Sequence, residues 1–352
     1  KEYVLKGLSR LEYRGYDSAG FACLTLPNNE LLCVKAEGKL DQLKKRVHSE
    51  SVDGHIGIGH TRWATHGAAT EANAHPHTDC HNQVAVVHNG IVENFFSLKE
   101  QLIVQGHRFT SQTDTEVLAH LLEVGLQKQL TLDAAIVDLV RQLKGSYAFI
   151  ALMHDKPDTL IAVRKSSPLC IGLGEHENFI ASDFLAFAGK TNKILFMPDE
   201  SFAVVTKEAL ALYDFKGNLL AQEIKTIDVS PSAYEKFEHE HYMLKEIYEQ
   251  PKVIKRMVDY YANNEQEVWK QLGVSPEQVA QLKSIHLFGC GTSWHAARIG
   301  QFFFEIICGM PTSTSLGSEF RYMPFFPKQH GLYVAISQSG ETADTLEAIR
   351  LI

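Results

Sequence analysis

The chain has 352 residues, of which 45% are hydrophobic, and a formal net charge of -8, enough for about two domains with sizeable cores. The acidic balance, with no basic block longer than Lys44-Lys45-Arg46, argues against a nucleic-acid partner. The longest apolar runs, such as residues 302–307, fall far short of the roughly 20 residues a membrane span needs.

In chain order, residues 1–12 predict a helix with Val4, Leu5, Leu8 and Leu11 on one face, and strand-like runs follow at 21–26, 31–36, 56–60 and 84–88. Asn28-Asn29 marks a hairpin turn between the first two. A helix is expected over about 94–105, stopped by Gly106. Thr113-Asp114-Thr115-Glu116 predicts a capping box before a helix over 115–128. Another helix is expected over 131–143, and strands over 147–153, 159–163, 169–173, 194–197, 201–205 and 209–213. Such unalternating runs argue an α+β fold of stacked sheets flanked by helices. Composition shifts at Val229-Ser230-Pro231-Ser232, which places a linker over 230–240. Helices are expected over 241–262 and 276–283. From Ser284 the pattern becomes βαβ, with buried strands at 285–288 and 332–336 and helices at 294–308 and 342–352. That is the start of a doubly wound parallel sheet. The chain opens without an initiator Met and closes within an expected helix, so both ends are expected to be truncations.

The six cysteines, Cys23, Cys33, Cys80, Cys170, Cys290 and Cys308, form no CxxC pair. They suit reduced, buried thiols in a cytoplasmic protein. His75, His77, Cys80 and His81 are dense enough to consider zinc. However, zinc sites draw ligands from separated pairs and no partner pair is evident, so no metal is expected. His239-Glu240-His241 is read as an ordinary helix entry.

Polar clusters interrupt the strands of the first domain at 13–18, 61–67, 73–77 and 88–90, and Thr113-Asp114 adds a carboxylate at a helix start. Each has an ordinary structural reading: Asn89-Gly90 as a turn, Arg14 with Asp17 as an ion pair, Asp114 as a cap. Taken together they suit an amide substrate with an α-amino acid head. Arg62 can meet its carboxylate and Asp114 its ammonium. The Asn89 side chain and the Gly90 N–H can meet a developing oxyanion. No Ser or Cys in these clusters has an evident base beside it.

The run at 11–20, with TRWATHG at 61–67, NAHPH at 73–77, HNG at 88–90 and TDTE at 113–116, resembles the class II glutamine amidotransferases. The resemblance implies an αββα N-terminal-nucleophile sandwich over 1–229. It also implies a Cys nucleophile, with its own α-amine as base, on a first strand ahead of Lys1. In that family's pattern Arg62 and Asp114 hold the glutamine head group, and Trp63, Thr65 and His66 line its pocket. Asn89 and Gly90 form the oxyanion hole, supported by Arg14 and His75.

In the second domain, Gly289-Cys290-Gly291-Thr292-Ser293 and Ser337-Gln338-Ser339-Gly340-Glu341-Thr342 each follow a buried strand and open a helix. Such loops present N–H groups and hydroxyls to an anion. No dinucleotide fingerprint or Lys-bearing phosphate loop occurs, so a monophosphate is favoured and no cofactor is expected. These motifs, with those at 241–251 and 318–322, resemble the sugar isomerase (SIS) domains of glutamine–fructose-6-phosphate aminotransferases. The resemblance implies that 241–352 is the first part of a SIS domain. Thr292, Ser293, Ser337, Gln338, Ser339 and Thr342 would contact the sugar phosphate, and the isomerase acid and base would lie in a second SIS half. It further implies L-glutamine and D-fructose 6-phosphate as substrates, glucosamine 6-phosphate as product, internal ammonia transfer gated by Trp63, and a homodimer or larger. The polypeptide as written is then expected to be inactive. Alternatives are another class II amidotransferase, which the SQSGET loop disfavours, and a sugar-phosphate sensor with a dead glutaminase unit.

Overall fold

The computed structural model describes residues 1–12, 15–50, 54–64, 67–128, 130–227, 239–320, 322–338, 340 and 342–352. They form two compact units, Lys1–Glu235 and Lys236–Ile352. Most of the expected linker, 230–238, lies outside the described residues.

The first unit begins with α1 (Glu2–Leu11), β1 (Ser18–Thr25), β2 (Glu30–Glu37), α2 (Leu40–Ser49), β3 (Gly57–Arg62), β4 (His77–Thr78) and β5 (Val84–Val92). It continues with α3 (Phe95–Val104), α4 (Glu116–Gln127), α5 (Leu132–Gln142), β6 (Gly145–Met153), β7 (Leu160–Lys165), β8 (Cys170–Leu173) and β9 (Asn178–Ala181). It ends with β10 (Lys193–Phe196), β11 (Ser201–Val205), β12 (Leu210–Asp214) and β13 (Ile224–Thr226). A six-stranded antiparallel sheet runs β12-β11-β7-β6-β5-β4, and two further sheets run β2-β1-β3 and β13-β10-β8-β9.

Strand alternation explains the layers. On β5 and β6, Val84, Val86, Tyr147, Phe149 and Ala151 point to one face, where Leu118, Leu122, Ile136 and Leu139 of α4 and α5 cover them. Their neighbours Ala85, Val87 and Leu152 point the other way and meet Ala22, Leu24 and Ile58 between the sheets. On β1, Phe21 and Cys23 face outward under Leu5 and Leu8 of α1 and Leu40, Leu43 and Val47 of α2. The result is an αββα sandwich, as expected. Burying each such Leu or Phe contributes roughly 1.5–3 kcal/mol.

Three local readings change. Helix α2 was not anticipated, although Leu40, Leu43 and Val47 have helical spacing; the intervening charges mask it. His88-Asn89-Gly90 is no turn, since β5 runs through it to Val92 with Gly90 opposite Tyr147. The expected capping box does not form at α4. Thr115 is the N-cap and makes no side-chain cap. The Glu116 carboxylate instead accepts from the N–H groups of Thr110 and Ser111, each at 2.7 Å. It thereby ties down the loop before its helix.

The second unit has α6 (Tyr242–Asn263), α7 (Glu265–Leu272), α8 (Pro276–Ala280), β14 (Ser284–Gly289), α9 (Thr292–Cys308), β15 (Thr312–Leu316), α10 (Gly317–Phe320), β16 (Gly331–Ile336) and α11 (Ala343–Leu351). Its sheet is parallel, ordered β15-β14-β16. His241 is the N-cap residue of α6. The hydroxyl-rich β15 carries no apolar run and was not anticipated; its backbone pairs with β14 regardless.

Candidate active site

Two edge strands of the first unit, β3 and β9, line a cavity of about 1060 Å³. Arg62, Trp63, His75, Asn89, Gly90 and Asp114 all line it, so six of the expected glutamine-site residues meet at one place. Arg14, Thr65 and His66 lie outside the described residues.

Arg62 ends β3 and is buried. Its guanidinium donates to the carbonyls of Gly67 and Ala68, each at 3.2 Å. Burial depresses its pKa, and the nearby carboxylates of Asp17 and Asp114 oppose that loss. Asp17, which the sequence suggested as a partner for Arg14, also holds the strand end. Its N–H donates to the Arg62 carbonyl at 3.0 Å, and its carboxylate accepts from the Ala64 N–H at 2.9 Å. These bonds fix the backbone on both sides of Trp63, whose exposed ring meets Tyr16 edge-on at 5.2 Å.

Asp114 is buried just before α4, and its carboxylate accepts from the Val92 N–H at 2.8 Å. Antiparallel ladders turn alternate N–H groups away from the partner strand. The Glu93 N–H donates to the Lys144 carbonyl on the β6 side. The even positions of β5 face the other way: His88 donates to His75 Nδ1 at 3.5 Å and Val92 to Asp114. By that alternation the Gly90 N–H falls between them, on the side of His75 and Asp114. Gly90 has φ of +113°, and a Cβ there would stand 2.1 Å from the Ser146 carbonyl oxygen, so only glycine fits.

Asn89 presents its Oδ1 to His60 Nε2 at 2.9 Å. An amide oxygen only accepts, so Nε2 is the donor, and burial pushes the His60 pKa down to about 4, so the ring is neutral. The Asn89 Nδ2 is then left to donate elsewhere. Three more imidazoles adjoin. Thr115 Oγ1 lies 3.0 Å from both His75 Nε2 and His88 Nδ1, and Thr113 Oγ1 lies 3.0 Å from His77 Nε2. The His60 and His75 rings are 4.3 Å apart, and those of His75 and His77 4.9 Å. Burial depresses all three pKa values, with neighbouring rings and Arg62 adding to the effect at His75. A neutral histidine cluster therefore underlies the Asn89-Gly90 corner. His60, Thr113 and Thr115 were absent from the expected site; nothing in a strand-terminal His or a helix-start Thr marks it in sequence. No cysteine lines the cavity among the described residues.

The second-unit residues lie on loops at the C-terminal ends of two adjacent parallel strands. Thr292 and Ser293 form the first turn of α9 after β14. Ser293 and β16 approach Gly289 so closely that a Cβ there would meet the Ile336 carbonyl oxygen at 2.7 Å. After β16, Ser337 Oγ accepts from the Gly340 N–H at 3.0 Å and lies 3.3 Å from Thr342 Oγ1, while Gln338 is exposed. Ser339 lies outside the described residues.

Residues 60–188 match the glutamine amidotransferase domain family and residues 278–352 the SIS domain family. The glutamine–fructose-6-phosphate aminotransferases [isomerizing] of Thermosynechococcus vestitus and Acinetobacter baylyi are each 44% identical to the chain over 99% of it. The chain covers 57% and 56% of them, little more than half their length. A solved glutamine phosphoribosylpyrophosphate amidotransferase from B. subtilis shares the fold, with a TM-score of 0.54 at 23% identity over 93% of this chain and 66% of that one. A structure described as the allosteric regulatory enzyme of purine biosynthesis gives a TM-score of 0.53 at 29% identity over 61% of this chain and 46% of that one.

Proposed function

We propose that this chain, which belongs by sequence with the glutamine–fructose-6-phosphate aminotransferases, holds both substrates of such an enzyme. L-Glutamine would bind in a glutaminase domain over 1–229 and D-fructose 6-phosphate in a SIS segment over 241–352, joined by a linker over 230–240. Ammonia released from glutamine would aminate the sugar, which is isomerised to glucosamine 6-phosphate. The observation that carries the reading is the convergence of Arg62, Asp114, Asn89 and Gly90 on one cavity.

In this reading the glutamine carboxylate pairs with Arg62 and its ammonium with Asp114. The amide carbonyl then points at Asn89 Nδ2 and the Gly90 N–H, which stabilise the oxyanion formed on thiol attack. The neutral imidazoles beneath them add no cation to compete with Arg62 for the substrate carboxylate. Trp63, Thr65, His66, Arg14 and His75 complete or support the pocket. In the second domain, Thr292, Ser293, Ser337, Gln338, Ser339 and Thr342 offer hydroxyls, an amide and backbone N–H groups to the sugar phosphate. A homo-oligomer and a cytoplasmic location belong to the same reading. It fits six free thiols and the absence, among the described residues, of any helix long and apolar enough to cross a membrane.

The test supplies the full-length protein with glutamine labelled at its amide nitrogen, together with fructose 6-phosphate. The label is expected in the amino group of glucosamine 6-phosphate. Glutamate release without a labelled amino sugar would refute the second-domain assignment. No glutamate release at all would refute the first.

A further inference from the structure

We infer that Cys80, His107, His120 and Glu123 form a structural zinc site in the first unit, away from the cavity that holds Arg62 and Asn89. The run of His and Cys after Asn73 divides in two. His75 and His77 turn to the threonine hydroxyls beside the cavity. Cys80 instead meets partners that lie far along the chain. His107 follows α3, and His120 and Glu123 stand one turn apart on α4. One ligand atom from each of the four falls within 4.8 Å of the others.

The separations suit a tetrahedral ion. Zinc bound at its usual nitrogen, oxygen and sulfur distances sets nitrogens and oxygens about 3.3 Å apart, and nitrogen and sulfur about 3.6 Å apart. Here the His107 and His120 Nδ1 atoms are 3.2 Å apart. Glu123 Oε2 is 3.1 Å from His107 Nδ1 and 3.6 Å from His120 Nδ1. Cys80 Sγ is 4.0 and 3.9 Å from the same two nitrogens. A contraction of a few tenths of an ångström at sulfur closes the set.

The surroundings are those of a ligated cluster. The Arg108 N–H donates to Cys80 Sγ at 3.2 Å, the contact that stabilises a thiolate. Glu123 Oε1 is held by His81 Nδ1 at 2.6 Å and by Gln127 Nε2, which donates to it at 3.3 Å. Oε2 is left facing the centre of the cluster, buried and with no hydrogen bond despite the nearby imidazole. Behind His120, Nε2 faces the Glu116 carboxylate at 3.9 Å, the outer carboxylate that commonly backs a metal-bound imidazole. A thiolate, a carboxylate and two neutral imidazoles exactly neutralise a divalent cation, which makes burial tolerable. Thiolate with imidazole selects zinc over magnesium or calcium. Four protein donors leave no open position, so the role is structural. The ion would pin the turn after β4 to the 107–108 segment and to α4. The sequence marks Cys80 within a dense His/Cys run but not its partners here, which lie in other elements.

The full-length protein, dialysed against zinc-free buffer, is expected to retain about one zinc per chain. Chelation should lower its melting temperature by several degrees, and zinc alone should restore it. Cobalt substitution should give tetrahedral d–d bands and a thiolate-to-cobalt charge-transfer band that Cys80→Ser removes. Glu123→Gln should weaken zinc binding by about 10–100-fold. Folded wild-type protein that retains no zinc, and whose melting does not respond to it, would overturn the inference in favour of a metal-free hydrogen-bonded cluster. So would a charge-transfer band that survives in Cys80→Ser. Should that variant fail to fold, the wild-type stoichiometry and melting decide.

Discussion

His60 Nε2 stands 2.9 Å from Asn89 Oδ1, and this bond leaves the Asn89 Nδ2 as the end of the amide that is free to turn elsewhere. On the proposed reading, in which Asn89 Nδ2 is an oxyanion donor, His60 would be its positioning residue. His60→Ala in the full-length enzyme is expected to lower glutaminase kcat by roughly 10–100-fold, short of the ~10²–10³ for deleting such a donor outright. KM for glutamine should change little, and His60→Gln, which keeps a donor, should recover part of the loss. Steady-state glutamate release checks this; a rise in KM at unchanged kcat would assign His60 to binding instead.

Gly90→Ala places a methyl 2.1 Å from the Ser146 carbonyl oxygen at a φ of +113°. Strain and steric displacement together should cost about 2–5 kcal/mol. Chemical denaturation of the two proteins measures it. Equal midpoints would show that β5 and β6 can separate there without penalty.

Asp114→Asn keeps an acceptor for the Val92 N–H and removes the charge that, on the proposed reading, would meet the substrate ammonium. KM for glutamine should rise by about 10–100-fold, which is 1.4–2.8 kcal/mol. Amination driven by added ammonium should be nearly unchanged. Parallel assays with glutamine and with ammonium decide, and equal losses in both would count against the pocket assignment.

Acid should destabilise the first unit early. His60 has its folded pKa near 4, below the ordinary 6.5, so on acidification the unfolded chain takes up a proton first. Its contribution is full above pH 6.5 and is lost as the pH falls toward 4, up to roughly 3 kcal/mol. Burial depresses His75, His77 and His88 in the same direction. Thermal melts from pH 7.5 to 4.5 should fall steadily below pH ~6.5. A flat profile would mean that the cluster is charged or solvated.

No cysteine lines the cavity among the described residues, and the Cys23 thiol is buried and pushed up to about 11. The 352-residue polypeptide is therefore expected to release no glutamate. Measurable release from material of this intact mass would locate an unrecognised nucleophile.

Periodicity alone made much of this protein legible. The continuous apolar runs of β1, β5, β6, β7 and β11 and the spaced apolar positions of α1 and α5 carry their own burial pattern. A sheet covered on both faces reads as a near-continuous apolar run, and a covering helix repeats about every 3.6 residues. Arg62, Asp114, Asn89 and Gly90, grouped in sequence as what a zwitterionic amide would need, do meet along one cavity. Helix α2 and strand β15 were not: charges obscure the three apolar positions of the first, and backbone pairing alone sustains the second.

What only the tertiary structure decided is which polar side chains share a site. Asp17 met the Ala64 N–H at the end of β3, and His60 reached Asn89 from a different strand. Cys80 left its neighbours His75 and His77 for His107, His120 and Glu123. The physical reason is the same each time. Hydrogen bonds and ligand contacts act over about 3 Å between residues that pairing and packing bring together from distant parts of the chain. Sequence spacing records which elements form, while their register and layering decide which side chains meet.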